Sequence, residues 1–325
     1  MTQAPDISIV IPVYNGLPHL RTCLDSLQAQ THTNFEVLIR DDGSRDGSTE
    51  LIARYSADPR IRVLPGGHNL GLFPNTNTLI REIRAPLVRV LCQDDMLEPA
   101  CLATEVAFFA QHPEIGMAYG KVLSIDATGK PLGYWPVEGH PAVMPPAMSM
   151  QLFYYYGCIV GNLSNACMRR TVIDELGLFD ENYPVAGDYE MWVRICMRYP
   201  LGVIHEPILR VRSHIGQLSR TVVSSVAAIR ETRQIRDIIL PTLPTLIQSY
   251  ARQYSRMRHG VLDMHYAFRR LLVGDMRTFM AILHCLGLSD TVSGSFFWLV
   301  TVDNHLFSPK PRFVHVPSES DDVAY

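Results

Sequence analysis

Apolar runs and amphipathic segments alternate along the first 90 residues, and this alternation constrains the fold more than any other feature of the chain. Runs of strand character cover residues 8–13, 35–40 and 60–64, and turn residues bound each of them. A segment with helical periodicity follows each run; residues 18–27, for example, carry apolar side chains at positions i, i+3, i+4 and i+7. Successive strand–helix units predict an α/β fold in which helices cover a mainly parallel sheet.

A fourth apolar run, residues 85–91, is followed by the acidic pair Asp94-Asp95. The second run also ends in an acid, Asp41, and ligands bind where the carboxyl ends of such strands meet. We therefore expect Tyr14, Asp41 and Asp95 to lie together at one edge of the sheet. Paired carboxylates there suit a hard divalent cation, which usually binds together with phosphates. Alternatively, the pair only begins a turn or caps the helix that follows it.

Five segments, in order within about residues 6–220, resemble motifs of the family-2 inverting glycosyltransferases of the bacterial surface-polysaccharide type. They are SIVIPVYNG, EVLIRDDGSRDGS, NLGLFPNTN, LCQDD and GDYEMWVR. The resemblance implies the GT-A fold, which is a Rossmann-like, mixed but mainly parallel sheet flanked by helices. We expect a C-terminal helical appendage after it, because strand patterns fade beyond residue 220 and residues 222–288 show helical periodicity.

The resemblance also implies roles for residues at the edge of the sheet. Family members hold a divalent cation, Mg²⁺ or Mn²⁺, through the last acid of the LCQDD segment, which is Asp95, and keep the preceding acid, Asp94, near the ribose. Cys92 is a departure, because many members carry a further acid there. The nucleotide base and ribose of the donor would contact the loops after the first two strands, at Pro12, Tyr14, Asn15 and Asp41.

Asp188 corresponds to the catalytic base of the family, and its surroundings suit that role. It lies at the start of a predicted helix with an apolar face, in the segment 187–190. The helix N-terminus would favour the anion, whereas burial beside a sugar would raise the pKa, and the sequence leaves the balance open. Glu190 is the competing candidate for the base, and a role of Asp188 as a simple helix N-cap is the structural alternative.

A further segment, residues 209–219, resembles the closing segment of the family. In this segment His214 would approach the diphosphate or the cation. Arg210 or Arg212 would neutralise phosphate charge.

Two segments are assigned to the acceptor side. Residues 126–148 are rich in proline and glycine, which predicts a long loop that is either functional or a passive surface excursion. The small polar residues 161–165 follow the aromatic cluster 153–156, which suits either a sugar-binding floor or plain packing.

Composition and charge favour a cytoplasmic enzyme. The formal net charge of −3 at pH 7 gives no reason to expect a nucleic-acid partner. The seven cysteines include no C-x-x-C pair, which favours reduced thiols over a disulfide framework or a zinc site. The chain enters its first strand almost at once, which predicts no signal peptide, and the apolar residues 296–302 are too few to span a bilayer.

We predict a GT-A domain over residues 1–220, in which residues 1–98 bind the nucleotide sugar and residues 99–220 bind the acceptor. The helical appendage would cover residues 221–308, and residues 309–325 would form a flexible tail. Arginines recur in the appendage, so it could make peripheral contact with the inner face of the membrane, form a homodimer or only cap the domain.

Together these features predict metal-dependent, inverting transfer of a single sugar from a nucleotide-sugar donor to a carbohydrate or lipid-linked acceptor, in surface-polysaccharide or O-antigen assembly. Residues 217–220 match the start of the Q-x-x-R-W motif of processive synthases, but Thr221 replaces the tryptophan, which favours a single addition. A sugar nucleotidyltransferase is the alternative enzyme, although the first loop lacks its usual G-x-G-x-R pattern. The third possibility is a non-catalytic nucleotide- or carbohydrate-binding protein, which would not require Asp41, Asp95 and Asp188 together.

Overall fold

A computed structural model of the chain describes residues 4–287, apart from residues 136, 138, 215 and 218–221. A mixed sheet of ten strands forms the centre of this part of the chain. The strands are β1 (Ile7–Val13), β2 (Phe35–Asp41), β3 (Ile61–Leu64), β4 (Leu87–Val90), β5 (Met96–Leu97), β6 (Met117–Asp126), β7 (Pro131–Trp135), β8 (Val143–Met144), β9 (Ala166–Arg169) and β10 (Leu201–Ser213). The helices are α1 (Leu20–Gln28), α2 (Ser48–Tyr55), α3 (Leu72–Ile80), α4 (Cys101–Gln111), α5 (Pro146–Tyr156), α6 (Arg170–Leu176), α7 (Gly187–Cys196), α8 (Val222–Ile239) and α9 (Thr245–Leu272).

The strand order of the sheet is β3-β2-β1-β4-β9-β6-β10-β5. β3, β2, β1 and β4 are parallel to one another, and β10 is parallel to β6. β9 runs antiparallel to both of its neighbours, β4 and β6. β7 pairs antiparallel with β6, and β5 and β8 pair antiparallel with β10. The predicted α/β architecture, a mixed and mainly parallel sheet flanked by helices, is confirmed.

Helices bury both faces of the sheet. Alternate residues of β1 point to opposite sides, so that Val10 joins one core while Ile9 and Ile11 join the other. Helices α3, α5, α6, α7 and α8 contribute to the first core, and α1, α2 and α4 contribute to the second. Burial on both faces explains why these strands appear in the sequence as continuous apolar runs.

Residues 126–148 contain two short strands, β7 and β8, where the sequence predicts a long loop. The Asp126 carboxylate accepts hydrogen bonds from the N–H groups of Thr128 and Lys130, and Gly129 adopts a φ of +94°. The chain therefore turns back tightly onto β6. The sequence of β7, PLGYW, conceals this hairpin because proline and glycine are weak strand formers.

The first helix of the appendage packs into the same core as the residues before it. Ile235 and Ile239 of α8 are fully buried there, beside residues of α5 and α7. The end of α9 instead packs with the helical residues 276–287 in a small separate cluster of Met264, Ala267, Ile282 and Leu286. The domain limits at 220 and 308 stay predictions, but α8 is continuous in packing with the preceding domain.

Several predictions concern residues outside the described part of the chain. These are most of the segment 217–221, the apolar residues 296–302 and the tail 309–325. Within the described ranges, no helix is both long enough and apolar enough to cross a bilayer.

Candidate functional site

Gln93 joins the loops that follow β1 and β4. Its amide oxygen accepts the N–H of Tyr14 at 2.9 Å, and its amide nitrogen donates to the Tyr14 carbonyl at 2.9 Å. Gly16 packs so closely on Gln93 that a Cβ atom at this position would lie 2.8 Å from the amide oxygen. The two strand-end loops are thus held together, and the side chain of Tyr14 remains exposed.

Asn15 joins the loop after β1 to the loop after β2. Its N–H donates to Ser44 Oγ at 2.8 Å, and its side-chain oxygen accepts the N–H of Arg45 at 2.9 Å. Asn15 has a φ of +49°, a left-handed conformation that asparagine tolerates better than most residues. The Asp41 carboxylate accepts hydrogen bonds from the hydroxyls of Ser44 and Thr49. The loops assigned to the nucleotide are therefore ordered by their own side chains.

A buried ion pair between Arg40 and Asp42 supports these loops from behind, with the nitrogen and oxygen 2.6 Å apart. Pro12 is buried in β1 at the position paired with Arg40. Asp42 also accepts the N–H groups of Leu70 and Gly71 at 2.8 and 2.9 Å, which fixes the segment before α3. Asp42 therefore has a structural role, and the sequence alone does not distinguish it from the neighbouring Asp41.

His214 and Asp94 meet at the same edge of the sheet. The Nε2 atom of His214 lies 3.0 Å from Oδ2 of Asp94, and each side chain is 20% exposed. The ring of His19 lies 4.9 Å from the ring of His214. Burial, followed by the charges of Arg212 and His214, lowers the pKa of His19. The predicted metal motif is therefore flanked by imidazoles as well as carboxylates.

Asp95 is buried more deeply than Asp94 and is only 1% exposed. Its Oδ2 accepts the hydroxyl of Ser164 at 2.6 Å, and its Oδ1 accepts the backbone N–H of Arg212 at 3.0 Å. Burial, followed by the charge of Asp94, raises the pKa of Asp95 to about 8 despite these two bonds. Asp95 thus links the loop after β4 to Ser164 and to β10.

Ser164 is held in turn by a fully buried ion pair between Arg89 and Glu105, whose closest atoms are 2.5 Å apart. The guanidinium of Arg89 donates to the carbonyl of Ser164. The hydroxyl of Ser164 accepts the N–H of Cys92 at 2.9 Å. The segment 161–165, considered above as a sugar-binding floor, therefore also supports the acidic loop. The sequence predicts neither the bond of Ser164 to Asp95 nor that of Arg89 to Glu105, because these partners lie 69 and 16 residues apart.

Cys92, Asp94 and Asp95 offer ligand atoms within 4.8 Å of one another. Burial, followed by the charges of Asp95 and Asp94 and, more weakly, of Asp188, raises the pKa of the Cys92 thiol. A thiol is also a soft donor, which matches a hard cation such as Mg²⁺ or Mn²⁺ poorly. The carboxylates suit Mg²⁺ or Mn²⁺, and a dication would offset the mutual repulsion that helps to raise the pKa of Asp95. The residues present fit a hard divalent cation.

Asp188 lies at the start of α7 and is half-buried. Its Oδ1 accepts the N–H of Tyr189 at 2.7 Å. Burial raises the pKa of Asp188 to about 6, the bond from Tyr189 opposes this rise, and the charge of Glu231 adds to it. Desolvation therefore outweighs the helix N-terminus. A carboxylate with this pKa is anionic at pH 7 yet more basic than an ordinary aspartate, which suits a general base.

Glu190, the competing candidate, is paired with Arg194. Both of its oxygens accept guanidinium N–H groups at 2.9 Å. Because both oxygens of Glu190 are already occupied by Arg194, the geometry favours Asp188 as the base. Gly187 seats this end of α7 against Phe73, because a Cβ atom there would lie 2.8 Å from the ring.

The two arginines near the end of β10 have different partners. Arg210 donates to both oxygens of Glu98, at 2.7 and 3.1 Å. Arg212 is buried, and its Nε donates to the carbonyl of Asp94 at 3.2 Å. Contact of Arg210 with a donor phosphate would require the Glu98 pair to open, and this role stays a prediction.

Known proteins resemble the chain over the part that carries these residues. The family model of glycosyl transferase family 2 matches residues 8–177. An uncharacterized glycosyltransferase of Rickettsia felis is 29% identical over 220 residues, which cover 67% of this chain and 36% of that protein. The chondroitin synthase of Escherichia coli is 28% identical over 199 residues, 60% of this chain and 27% of the synthase. The O-antigen biosynthesis protein RfbC of Myxococcus xanthus is 30% identical over 203 residues, which cover 59% of this chain and 16% of that protein. The matched part is about a third or less of each relative.

Solved structures share the fold at lower identity. Residues 1–349 of TarS from S. aureus, in complex with UDP, superpose with a TM-score of 0.58 at 18% identity, over 82% of this chain and 73% of that one. The mannosyltransferase PcManGT from Pyrobaculum calidifontis, in complex with GDP-Man and Mn²⁺, gives a TM-score of 0.51 at 14% identity. The superposition covers 93% of this chain and 81% of that one. The predicted GT-A fold is confirmed. Because the family model covers more than half of its residues, the chain belongs to glycosyl transferase family 2.

Proposed function

We propose that the chain is a metal-dependent, inverting glycosyltransferase that moves a single sugar from a nucleotide-sugar donor to a carbohydrate or lipid-linked acceptor. The observation that carries this proposal is the environment of Cys92. Its thiol and the carboxylates of Asp94 and Asp95 have atoms within 4.8 Å of one another, and the charge of Asp188 also contributes, as the weakest cause, to the raised pKa of this thiol. The candidate cation ligands and the candidate base therefore lie near one side chain, as a displacement at a sugar diphosphate requires.

Asp94 and His214 would hold Mg²⁺ or Mn²⁺ from the protein side, with Asp95 behind them. The resemblance assigns the direct contact to Asp95, but the greater exposure of Asp94 and His214 favours these two. The cation, when bound, stabilises the negative charge that develops on the departing diphosphate. Asp95 would keep Asp94 in place through its bonds to Ser164 and to the N–H of Arg212.

The remaining chemistry falls to Asp188. Its carboxylate takes the proton of the acceptor hydroxyl while that oxygen forms a bond to the anomeric carbon. The bond between this carbon and the diphosphate oxygen breaks in the same step, and its electron pair leaves with the diphosphate. Attack from the face opposite the leaving group inverts the anomeric centre. Tyr14, Asn15 and Asp41, with Pro12 beneath them, would contact the nucleotide.

The substrates are inferred from chemistry and from the relatives together. UDP and GDP-Man in the structural neighbours support a nucleotide-sugar donor here, and the names of two relatives support a saccharide acceptor in surface-polysaccharide or O-antigen assembly. The composition and the cysteine pattern of the chain support a reaction in the cytoplasm.

The appendage supplies a candidate contact with the membrane on which lipid-linked acceptors lie. Leu246, Tyr250 and Met257 of α9 are exposed, and their spacing puts them on one face of the helix. Arg252 and Arg256 are exposed nearby. An apolar stripe beside arginines suits an anionic membrane surface, and a homodimer through the same stripe is the alternative.

Nucleotide release from a panel of donors tests the proposal. The full-length protein with Mn²⁺ is incubated with UDP-GlcNAc, UDP-glucose or GDP-mannose and an extract of saccharide acceptors, and free UDP or GDP is measured. A donor that binds should raise the melting temperature, and transfer should release its nucleoside diphosphate. Pyrophosphate release from a nucleoside triphosphate and a sugar phosphate would identify a nucleotidyltransferase. Donor binding without release under any condition would indicate a binding protein.

A further inference from the structure

Glu231, which lies on α8 of the appendage, contacts the segment just before α7. Its Oε2 accepts the N–H groups of Val185 and Ala186 at 3.0 and 2.7 Å. Ala186 is the N-cap residue of α7, and its own side chain makes no capping bond. The N–H groups of the two residues that lead into the helix are thus held by a residue 45 positions after Ala186 in the chain.

The other carboxylate oxygen of Glu231 is buried and has no hydrogen-bond partner among the described residues. The whole residue is 1% exposed, and no ion pair with it occurs in the described part of the chain. An unpaired carboxylate oxygen in a protein interior is costly, so stability alone would favour an apolar side chain here. Local violations of this kind tend to occur at functional sites.

The position of Glu231 is firmly defined by its helix. Ile235, one turn farther along the same helix, is fully buried in the core that also contains Trp192 of α7. Asp188 follows Ala186 by two residues, so a shift of the chain at Ala186 would move the first turn of α7. The charge of Glu231 also contributes to the raised pKa of Asp188, after the larger effect of burial.

We propose that Glu231 is a positioning residue for the base: by holding Val185 and Ala186 it fixes the start of α7 and the direction of the Asp188 carboxylate. The inference rests on the proposed function, because it concerns the base of that reaction. It gives the appendage a part in catalysis that is independent of any contact with a membrane.

Three variants of the full-length protein test this role. Glu231→Ala removes the acceptor, whereas Glu231→Gln keeps an amide oxygen that can accept the same two N–H groups. Ile235→Ala is the matched control, because it disturbs the packing of α8 while leaving the bonds from Glu231 to Val185 and Ala186 in place. Each variant is assayed for turnover with the donor that is active in the panel above, for the Kd of the matching UDP or GDP with Mn²⁺, and for melting temperature.

We expect Glu231→Ala to lower kcat by about 10–100-fold, because a small displacement of a catalytic group has an effect of this size. The Kd for the nucleoside diphosphate should stay within about 2-fold, since the nucleotide loops lie elsewhere. Glu231→Gln should restore kcat to within about 3-fold of wild type. Ile235→Ala should lower the melting temperature. Its kcat, assayed below that melting temperature, should stay within about 3-fold of wild type. If Glu231→Ala does not fold, Glu231→Asp withdraws the acceptor by one methylene and should show the same loss of kcat.

Two results would overturn the inference: a normal kcat in Glu231→Ala, or in Glu231→Asp where Glu231→Ala does not fold, and an equal fall of kcat in Ile235→Ala. Asp188→Asn, measured alongside, separates this failure from that of the proposed function. An inactive Asp188→Asn with a normal Glu231→Ala refutes only the role of Glu231. An active Asp188→Asn refutes the assignment of the base itself.

Discussion

The Nε2 atom of His214 lies 3.0 Å from Oδ2 of Asp94, although 120 residues separate the two in the chain. The contact connects the segment after β10 with the loop after β4. The candidate cation site therefore draws on both halves predicted from the sequence, residues 1–98 and residues 99–220. Neither half contains the whole site.

Substitutions at the acidic pair distinguish the two possible cation ligands. We expect Asp94→Ala and His214→Ala each to weaken Mn²⁺-dependent binding of UDP or GDP by about 100-fold or more, because each removes a partly exposed candidate ligand. Asp95→Asn should weaken it less, since Asp95 would act by supporting Asp94. Calorimetry with and without Mn²⁺ measures the effect, and Glu114→Gln, at an exposed acid outside the site, serves as the control. Full loss in Asp95→Asn with near-normal binding in Asp94→Ala would restore Asp95 as the direct ligand.

Replacement of Asp188 tests the base. Asp188→Asn keeps the size of the side chain but cannot take the proton, so turnover should fall by about 10²–10⁴-fold. Binding of the donor and of Mn²⁺ should stay near wild type. Glu190→Gln is the control, and its turnover should change by less than about 5-fold, because Glu190 is already paired with Arg194. A dead Glu190→Gln beside an active Asp188→Asn would show that the wrong carboxylate was chosen.

The raised pKa of Asp188 predicts how activity depends on pH. Only the anionic carboxylate accepts the proton, so kcat/KM should rise with pH and reach half of its plateau near pH 6. The profile of Asp188→Asn should lack this acidic limb. A wild-type limb near pH 4, the range of an unperturbed aspartate, would contradict the role of burial.

The same pKa predicts a stability effect. The folded state holds the Asp188 proton more tightly than the unfolded state, so the stability that this group contributes is complete below about pH 4 and is lost as the pH rises through about 6. The melting temperature of Asp188→Asn relative to wild type should therefore increase between pH 4 and pH 7. Thermal unfolding at several pH values measures this, and an unchanged difference would contradict it.

Removal of the Ser164 hydroxyl tests the support of the acidic loop. Ser164→Ala deletes the bonds to Asp95 and to the N–H of Cys92, so it should lower the free energy of unfolding by about 1–3 kcal/mol. Ser149→Ala is the control, because Ser149 is equally buried but makes only one long bond, of 3.4 Å, to Pro145. Its cost should be below about 1 kcal/mol. Equal costs in urea unfolding would mean that the Ser164 bonds add nothing specific.

The exposed stripe of α9 predicts binding to anionic vesicles. The double variant Leu246→Glu, Tyr250→Glu should lose this binding, and wild-type binding should fall as salt rises, because charges are screened within about 8–10 Å at physiological ionic strength. Leu132→Glu, at an exposed residue of β7, is the control. If the wild type binds no vesicles at low salt but forms dimers that the double variant disrupts, the stripe is a dimer interface.

The edge of the sheet could be predicted from the sequence because its pattern is local. Asp41 ends one apolar run, and Asp94 follows another by a few residues, so strand direction alone brings them to one side. The family resemblance placed His214 near the cation, but neither its bond to Asp94 nor the role of Ser164 follows from the pattern of apolar residues. Ser164 and His214 reach the site through strand order, which periodicity within a segment does not encode. Glu231 has no distinguishing pattern in its helix, and its burial depends on how α8 packs.

The reversal of β9 has a consequence for how the two substrates communicate. Because β9 runs antiparallel to β4, the start of β9 lies beside the end of β4. Ser164, just before β9, therefore meets Cys92, just after β4. If β9 ran parallel to β4, Ser164 would lie at the opposite rim, about 13 Å away for a four-residue strand. The direction of β9 thus brings a residue of the predicted acceptor half, Ser164, into direct contact with the acidic loop of the predicted nucleotide half. Changes in residues 157–163 can therefore reach the acidic loop directly, without deforming the sheet between them.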